Sequence, residues 1–180
     1  MENKENSIYL IGLEGNNPES VDKFAKISLD KKDIIGKHKW YLGKDGYPFS
    51  FINGARIPLH RYVWFLNTGN WYNQYINDAN QVKKYYVDHI NRDKLDASNS
   101  NLRLATPAEN SYNKTSKSRI IDPVTNKPLH NIKLKKSGYE VCINKDGLCN
   151  KIDKITTLED AKQIYNLMAS ELFGEFAVLY

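Results

Sequence analysis

The chain has 180 residues, 41% hydrophobic and 26% charged, with a formal net charge of +5 at neutral pH. These values suit a soluble globular protein of one mid-sized or two small domains. They exclude a membrane span, which needs about 20 apolar residues in a row, and the polar first six residues exclude a signal peptide, so the chain is expected in the cytoplasm with no membrane contact.

The charge is unevenly spread. Residues 111–154 hold 10 Lys/Arg against 4 Asp/Glu, whereas residues 1–110 are close to balanced and residues 155–180 are acidic. A local basic excess favours a polyanion, and nucleic acid is the commonest. The 12 tyrosines suit packed strands and nucleic-acid-facing surfaces alike, since each joins an apolar ring to a polar tip. Cys142 and Cys149 form neither a C-x-x-C pair nor a zinc set, and both are expected to stay reduced.

Taken in chain order, residues 7–13 predict a strand. Residues 39–42 and 47–52 predict aromatic-rich strands around the Asp45-Gly46 turn. Asn53-Gly54 is the strongest hairpin signal, since both residues tolerate positive φ, and it joins 48–52 to 55–59. Residues 60–66 change to a helical period that stops near 67–69. Residues 67–84 read as a polar connection. A compact strand follows at 85–90, then a polar loop at 91–101 and a short strand at 102–105. Thr106-Pro107-Ala108-Glu109 starts a helix over 107–116, with Thr106 as cap and Pro107 at the first helical position.

Residues 117–128 read as a linker punctuated by Pro123 and Pro128. Strands are predicted at 131–134, 139–144 and 151–155, with Lys145-Asp146-Gly147 as a turn. Thr156 or Thr157 caps a last helix whose apolar face is Leu158, Ala161, Ile164, Tyr165, Met168 and Leu172, and which ends near Phe173-Gly174. The expected fold class is therefore α+β. A β-rich N-terminal part with a strand–loop–strand–helix spans residues 1–118, and a small three-stranded sheet with one helix spans 119–180.

The chemistry concentrates between Val87 and Lys114. Asp88 and His89 end a strand, Asn101 opens the next, and Asn110 sits in the first turn of the helix. Phosphodiester hydrolysis needs a base for water, charge neutralisation at the phosphate, and groups that hold both. Histidine titrates near neutrality and suits the first task. A carboxylate and an amide oxygen suit a hard divalent cation that keeps several waters. A histidine base also needs an orienting partner, and Asn101 is the candidate. Each residue alone has a plain structural alternative, since Asn and Asp serve turns and caps throughout this loop.

The combination Leu59-His60-Arg61, Val87-Asp88-His89-Ile90-Asn91, Lys94-Leu95-Asp96, Ser100-Asn101-Leu102-Arg103-Leu104, Pro107-Ala108-Glu109-Asn110 and Asn113-Lys114 resembles the HNH endonucleases of the homing and phage type. The resemblance implies a ββα-metal core, here residues 85–116, with the β-rich segment as an extension. It implies His89 as general base, Asn101 as its orienting residue, and Asp88 and Asn110 as ligands of one Mg²⁺ or Mn²⁺ ion per site. Many members carry His at the Asn110 position; Asn occurs in homing-type relatives. The implied substrate is double-stranded DNA, cut to a 5′-phosphate and a 3′-hydroxyl, by a phage-encoded enzyme acting in the host cytoplasm. One such site cuts one strand, so a double cut calls for a homodimer or a second event. His60 and Arg61 either brace the fold or, for Arg61, contact a phosphate; Arg103 has the same two readings. Asp93 and Asp96 read as turn-stabilising. A restriction or defence nuclease, or a DNA-binding protein with a decayed site, fits the same residues.

The C-terminal segment, with Phe173-Gly174-Glu175-Phe176-Ala177 after the last helix, resembles an AP2-type DNA-binding domain, although its usual Trp and Arg residues are missing. That resemblance implies DNA contacts from the sheet. The candidates are Lys114, Lys133, Lys135, Lys136 and Tyr139, lending affinity mainly through phosphates.

Overall fold

The structure, a computed structural model, describes residues 7–15, 23–71, 75–76, 82–83, 85–112 and 120–180. It is a mixed helix-and-sheet protein built on small sheets. The chain divides into two compact units, Met1–Pro107 and Ala108–Tyr180, a break that falls before the 118/119 junction expected from sequence.

In the first unit, β1 (Ile8–Gly12) pairs antiparallel with β2 (Phe24–Ser28), Ile8 opposite Ser28. β2 was not anticipated. Its period of two is present, with Ala25 and Ile27 fully buried between exposed Phe24 and Lys26, but a small residue and a lysine disguise it. A single 3₁₀ turn then leads into the short α1 (Lys32–Ile35), also unanticipated. The buried Trp40 donates its indole N–H to the carbonyl of Ile35 at 2.9 Å and ties that turn to the core.

β3 (Tyr41–Leu42), β4 (Pro48–Ile52) and β5 (Ala55–Pro58) form an antiparallel sheet in sequence order. The β4–β5 turn has φ of 51° at Asn53 and 79° at Gly54, the conformation that the pair was expected to supply. α2 (Leu59–Thr68) starts one residue early and runs two longer than predicted, and ends on Gly69 in the left-handed conformation, whose N–H donates to Phe65 O at 2.8 Å. Leu59 and Val63 on α2 join Ala25, Ile27, Ile35 and Trp40 in the first core. Within the predicted connection, β6 (Tyr75–Ile76) and β7 (Val82–Lys83) make a two-residue pairing. β8 (Tyr86–His89) and β9 (Leu102–Ala105) follow as an antiparallel pair, Asp88 opposite Arg103 and His89 opposite Leu102.

The second unit takes in nearly all of α3 (Pro107–Tyr112). Residues 113–116 of the predicted helix, with Lys114, lie outside the described residues. The expected linker is, from residue 120 on, an ordered turn: Ile121 bridges Pro128, and buried Asp122 accepts from the Val124 N–H and pairs with Lys162 at 3.1 Å. Asp122 makes the difference, because its carboxylate can serve a turn and a distant lysine at once. β10 (Ile132–Lys135), β11 (Gly138–Lys145) and β12 (Leu148–Ile155) form an antiparallel sheet. Asp146 and Gly147 turn between the last two at φ of 52° and 81°. α4 (Leu158–Phe173) covers one face, burying Ala161, Tyr165 and Ala169 against Ile132, Val141, Ile143 and Ile155. Thr157 caps it, accepting from the Asp160 N–H at 3.0 Å.

Candidate active site

Asp88 and His89 are the last two residues of β8, and the pleat sends them to opposite faces. Both are buried, at 8% and 4% exposure. A buried carboxylate needs a partner, and the opposing residue of β9 supplies it. The Nε and Nη2 atoms of Arg103 each lie 3.1 Å from Asp88 Oδ2. The Arg103 side chain is itself only 10% exposed.

The loop between β8 and β9 is clamped by amides. Asn101, at 7% exposure, donates from Nδ2 to Asp96 O at 2.6 Å and to Asn91 Oδ1 at 3.0 Å. Its Oδ1 accepts the Asn91 N–H at 3.0 Å, and its backbone carbonyl accepts the Ile90 N–H at 2.9 Å. Thus one residue, through its backbone carbonyl and its side chain, fixes the two residues that follow His89. Asp96 does the complementary work, accepting from Ser98 N–H and Oγ and from Asn91 Nδ2. Asp93 accepts the Leu95 N–H at 3.0 Å. Lys26 of β2 stitches the loop down through Leu95 O and Ala97 N–H, and Arg92 takes the turn with φ of 64°.

His89 faces two other rings. The His60 ring from the first turn of α2 lies 4.9 Å away between centroids, and the Tyr47 ring, just before β4, lies 5.8 Å away. Tyr47 and His60 are themselves 5.0 Å apart, so the three close a triangle. Lys94 Nζ sits 4.6 Å from the Tyr47 ring centroid and donates to Asp45 O at 2.8 Å. Burial pushes the His89 imidazole down to about 4; Asp93 and Asp96 oppose this, and Lys94 adds to it. Burial, then His89 and Arg61, push His60 down to about 2. Burial, Asp88 and Asp45 raise the Tyr47 phenol. Both imidazoles are therefore neutral at physiological pH, the form in which a histidine accepts a proton.

The fold brings Asp88, His89, Asn101 and Arg103 together in the first unit. Asn110 is half-buried on α3, in the second. Arg61 is half-buried on α2. Lys133, Lys135 and Lys136 are exposed at the β10–β11 end, with Lys135 paired to buried Glu140. Tyr139 packs against the second core. Sequence gave Tyr47 and Lys94 no role at the site, since 42 residues separate Tyr47 from His89 and ring types alone do not encode such a meeting.

A metal is tested here by donor chemistry. Among the described residues no group of three His, Cys, Asp or Glu is arranged to hold a cation. A carboxylate with an amide oxygen instead fits a hard cation that keeps most of its waters, and ligating carboxylates are commonly anchored by a second partner as Arg103 anchors Asp88.

A family model described as HNH endonuclease matches residues 58–112. The chain is 45% identical over 154 residues to a protein of Acanthamoeba polyphaga mimivirus named as an uncharacterised HNH endonuclease, covering 86% of this chain and 73% of that one. No solved structure matches the chain significantly.

Proposed function

This chain belongs to the HNH endonuclease family, and we propose that it hydrolyses phosphodiester bonds of double-stranded DNA from a site centred on His89. The observation that carries the reading is a neutral, buried imidazole that directly follows a buried carboxylate in the chain, on a strand end that Asn101 holds in place.

His89 takes a proton from the attacking water. Its depressed pKa keeps it unprotonated, at the cost of a weaker base. Asn101 sets the backbone from which the imidazole projects, and Asp88 and Asn110 are the residues that would hold one Mg²⁺ or Mn²⁺. When bound, that ion neutralises charge on the phosphate and the leaving oxygen. Residues 85–116 constitute the ββα-metal core in this reading, with the preceding sheets as an extension.

The second unit serves DNA affinity through phosphate contacts from Lys133, Lys135 and Lys136 on an AP2-like sheet, with Lys114, outside the described residues, and Arg61 on α2 adding to them. Arg103 and Tyr139 we assign to the fold instead, because the first is engaged with Asp88 and the second with the core. The viral relative is in keeping with a phage- or virus-borne enzyme, and the homing type rests on the motif resemblance.

The test is supercoiled plasmid carrying the DNA that flanks the gene, incubated with Mg²⁺, Mn²⁺ or EDTA. Nicking or linearisation with metal only, leaving 5′-phosphate ends, is expected; metal-independent cleavage or none would remove the reading.

A further inference from the structure

We propose that Tyr47 and His60 are positioning residues for His89, their rings forming a shelf that fixes the plane of the imidazole. This rests on the reading of His89 as the base.

Asn101 fixes the backbone after His89, but a backbone clamp does not set the side-chain torsions of the residue before it. Contacts made to the ring itself set those torsions. His60 meets it at 4.9 Å and 59° between planes, and Tyr47 at 5.8 Å and 37°, both within the range of attractive ring pairs. The shelf is itself anchored. His60 is 7% exposed in the first turn of α2, and the Lys94 ammonium lies over the Tyr47 ring while bonded to Asp45 O.

Packing alone explains His60 poorly. Its Nδ1 is buried without a hydrogen-bond partner among the described residues, a cost that an apolar residue of similar size would not carry. Kept neutral by the same burial, the ring supports a proton acceptor without placing a second positive charge beside it. A base displaced by even a small angle loses its line to the attacking water, and such misplacement costs rate rather than substrate binding.

The experiment compares single-turnover plasmid cleavage, DNA affinity and melting temperature for wild type, His60→Ala, His60→Phe, Tyr47→Ala and Tyr47→Phe. The two alanine variants are expected to cleave about tenfold to a hundredfold more slowly at unchanged DNA affinity. The two phenylalanine variants, which keep a ring, are expected to return most of the rate. Wild-type rates in both alanine variants would overturn the shelf, as would phenylalanine variants no better than alanine. Should His60→Ala fail to fold, Tyr47→Ala at its half-exposed position carries the test. Relaxation of ¹³C-labelled histidine separates the two readings: if wild type does not cleave, the nuclease assignment falls. The shelf then stands only if the His89 ring is rigid in wild type and gains motion in the alanine variants.

Discussion

The two units differ in which buried ionisable groups are shifted furthest from their ordinary state. In the first, beside the buried Asp88–Arg103 ion pair, two buried bases are neutralised: His60 and His89 sit at 7% and 4% exposure, with burial as the leading cause of their lowered pKa values. In the second, which buries His130 as well, the shifted groups are two acids kept charged. Asp122 is held below the usual carboxylate range first by the Val124 N–H, and Glu140 first by Lys135. A charged acid given donors stabilises a turn or a ladder. A neutral base held among rings stabilises little, and its value lies in the proton it can take. In the proposed reading, the contrast separates a region organised around reactivity from one organised around fold.

Breaking the Asp88–Arg103 pair should have the largest effect on stability. Arg103→Ala takes the guanidinium away from a buried carboxylate and is expected to cost about 3–5 kcal/mol, read by denaturant unfolding. A loss under about 1 kcal/mol would mean that the pair is solvated like a surface bridge. Asn101→Ala removes three side-chain hydrogen bonds from the loop and should cost about 2–3 kcal/mol, with cleavage falling further than stability alone explains.

Acid should then separate the units. The unfolded histidines take up protons near pH 6.5, whereas in the fold His89 does so only near 4 and His60 near 2. The unfolded chain therefore binds more protons as pH falls from about 6.5, and the first unit loses about 1.4 kcal/mol per pH unit for each histidine, until its folded pKa is reached. Asp122 and Glu140 have the same sign but act in a lower pH window. Their lowered values contribute stability above the ordinary carboxylate range, which is lost only as pH falls below it towards their folded values. Between pH 6 and 4.5, hydrogen exchange should quicken in β8 and β9 while β11 holds. Equal quickening in both units would remove the distinction. The smallest effect is Thr157→Ala, which takes the cap from α4 and should cost about 1 kcal/mol in the second unit, leaving β8 and β9 exchange unchanged.

What could be read from the sequence follows the range of the interactions involved. The Asn53-Gly54 and Asp146-Gly147 turns, the Thr157 cap and the strand ends around Asp88-His89 and Asn101 are local, and their chemistry is written in adjacent residues. β2 was hidden because Ala25 and Lys26 blunt its alternation, and its role depends on pairing with β1 and stitching the Asp96 loop. The turn at Asp122 passed for a linker because its partner Lys162 lies 40 residues on. At the site, the motif named Asp88, His89 and Asn101. It could not show that Arg103 faces Asp88 rather than solvent, nor that Tyr47 closes a ring triangle, because both depend on how separate strands come together.

The central claim is that His89 is the base and not a packing residue. Plasmid cleavage with Mg²⁺ and DNA affinity should be measured side by side for wild type and His89→Ala. Cleavage reduced by about 100-fold or more with affinity intact is the expected result. Retained cleavage, or loss of binding and cleavage together, would contradict it.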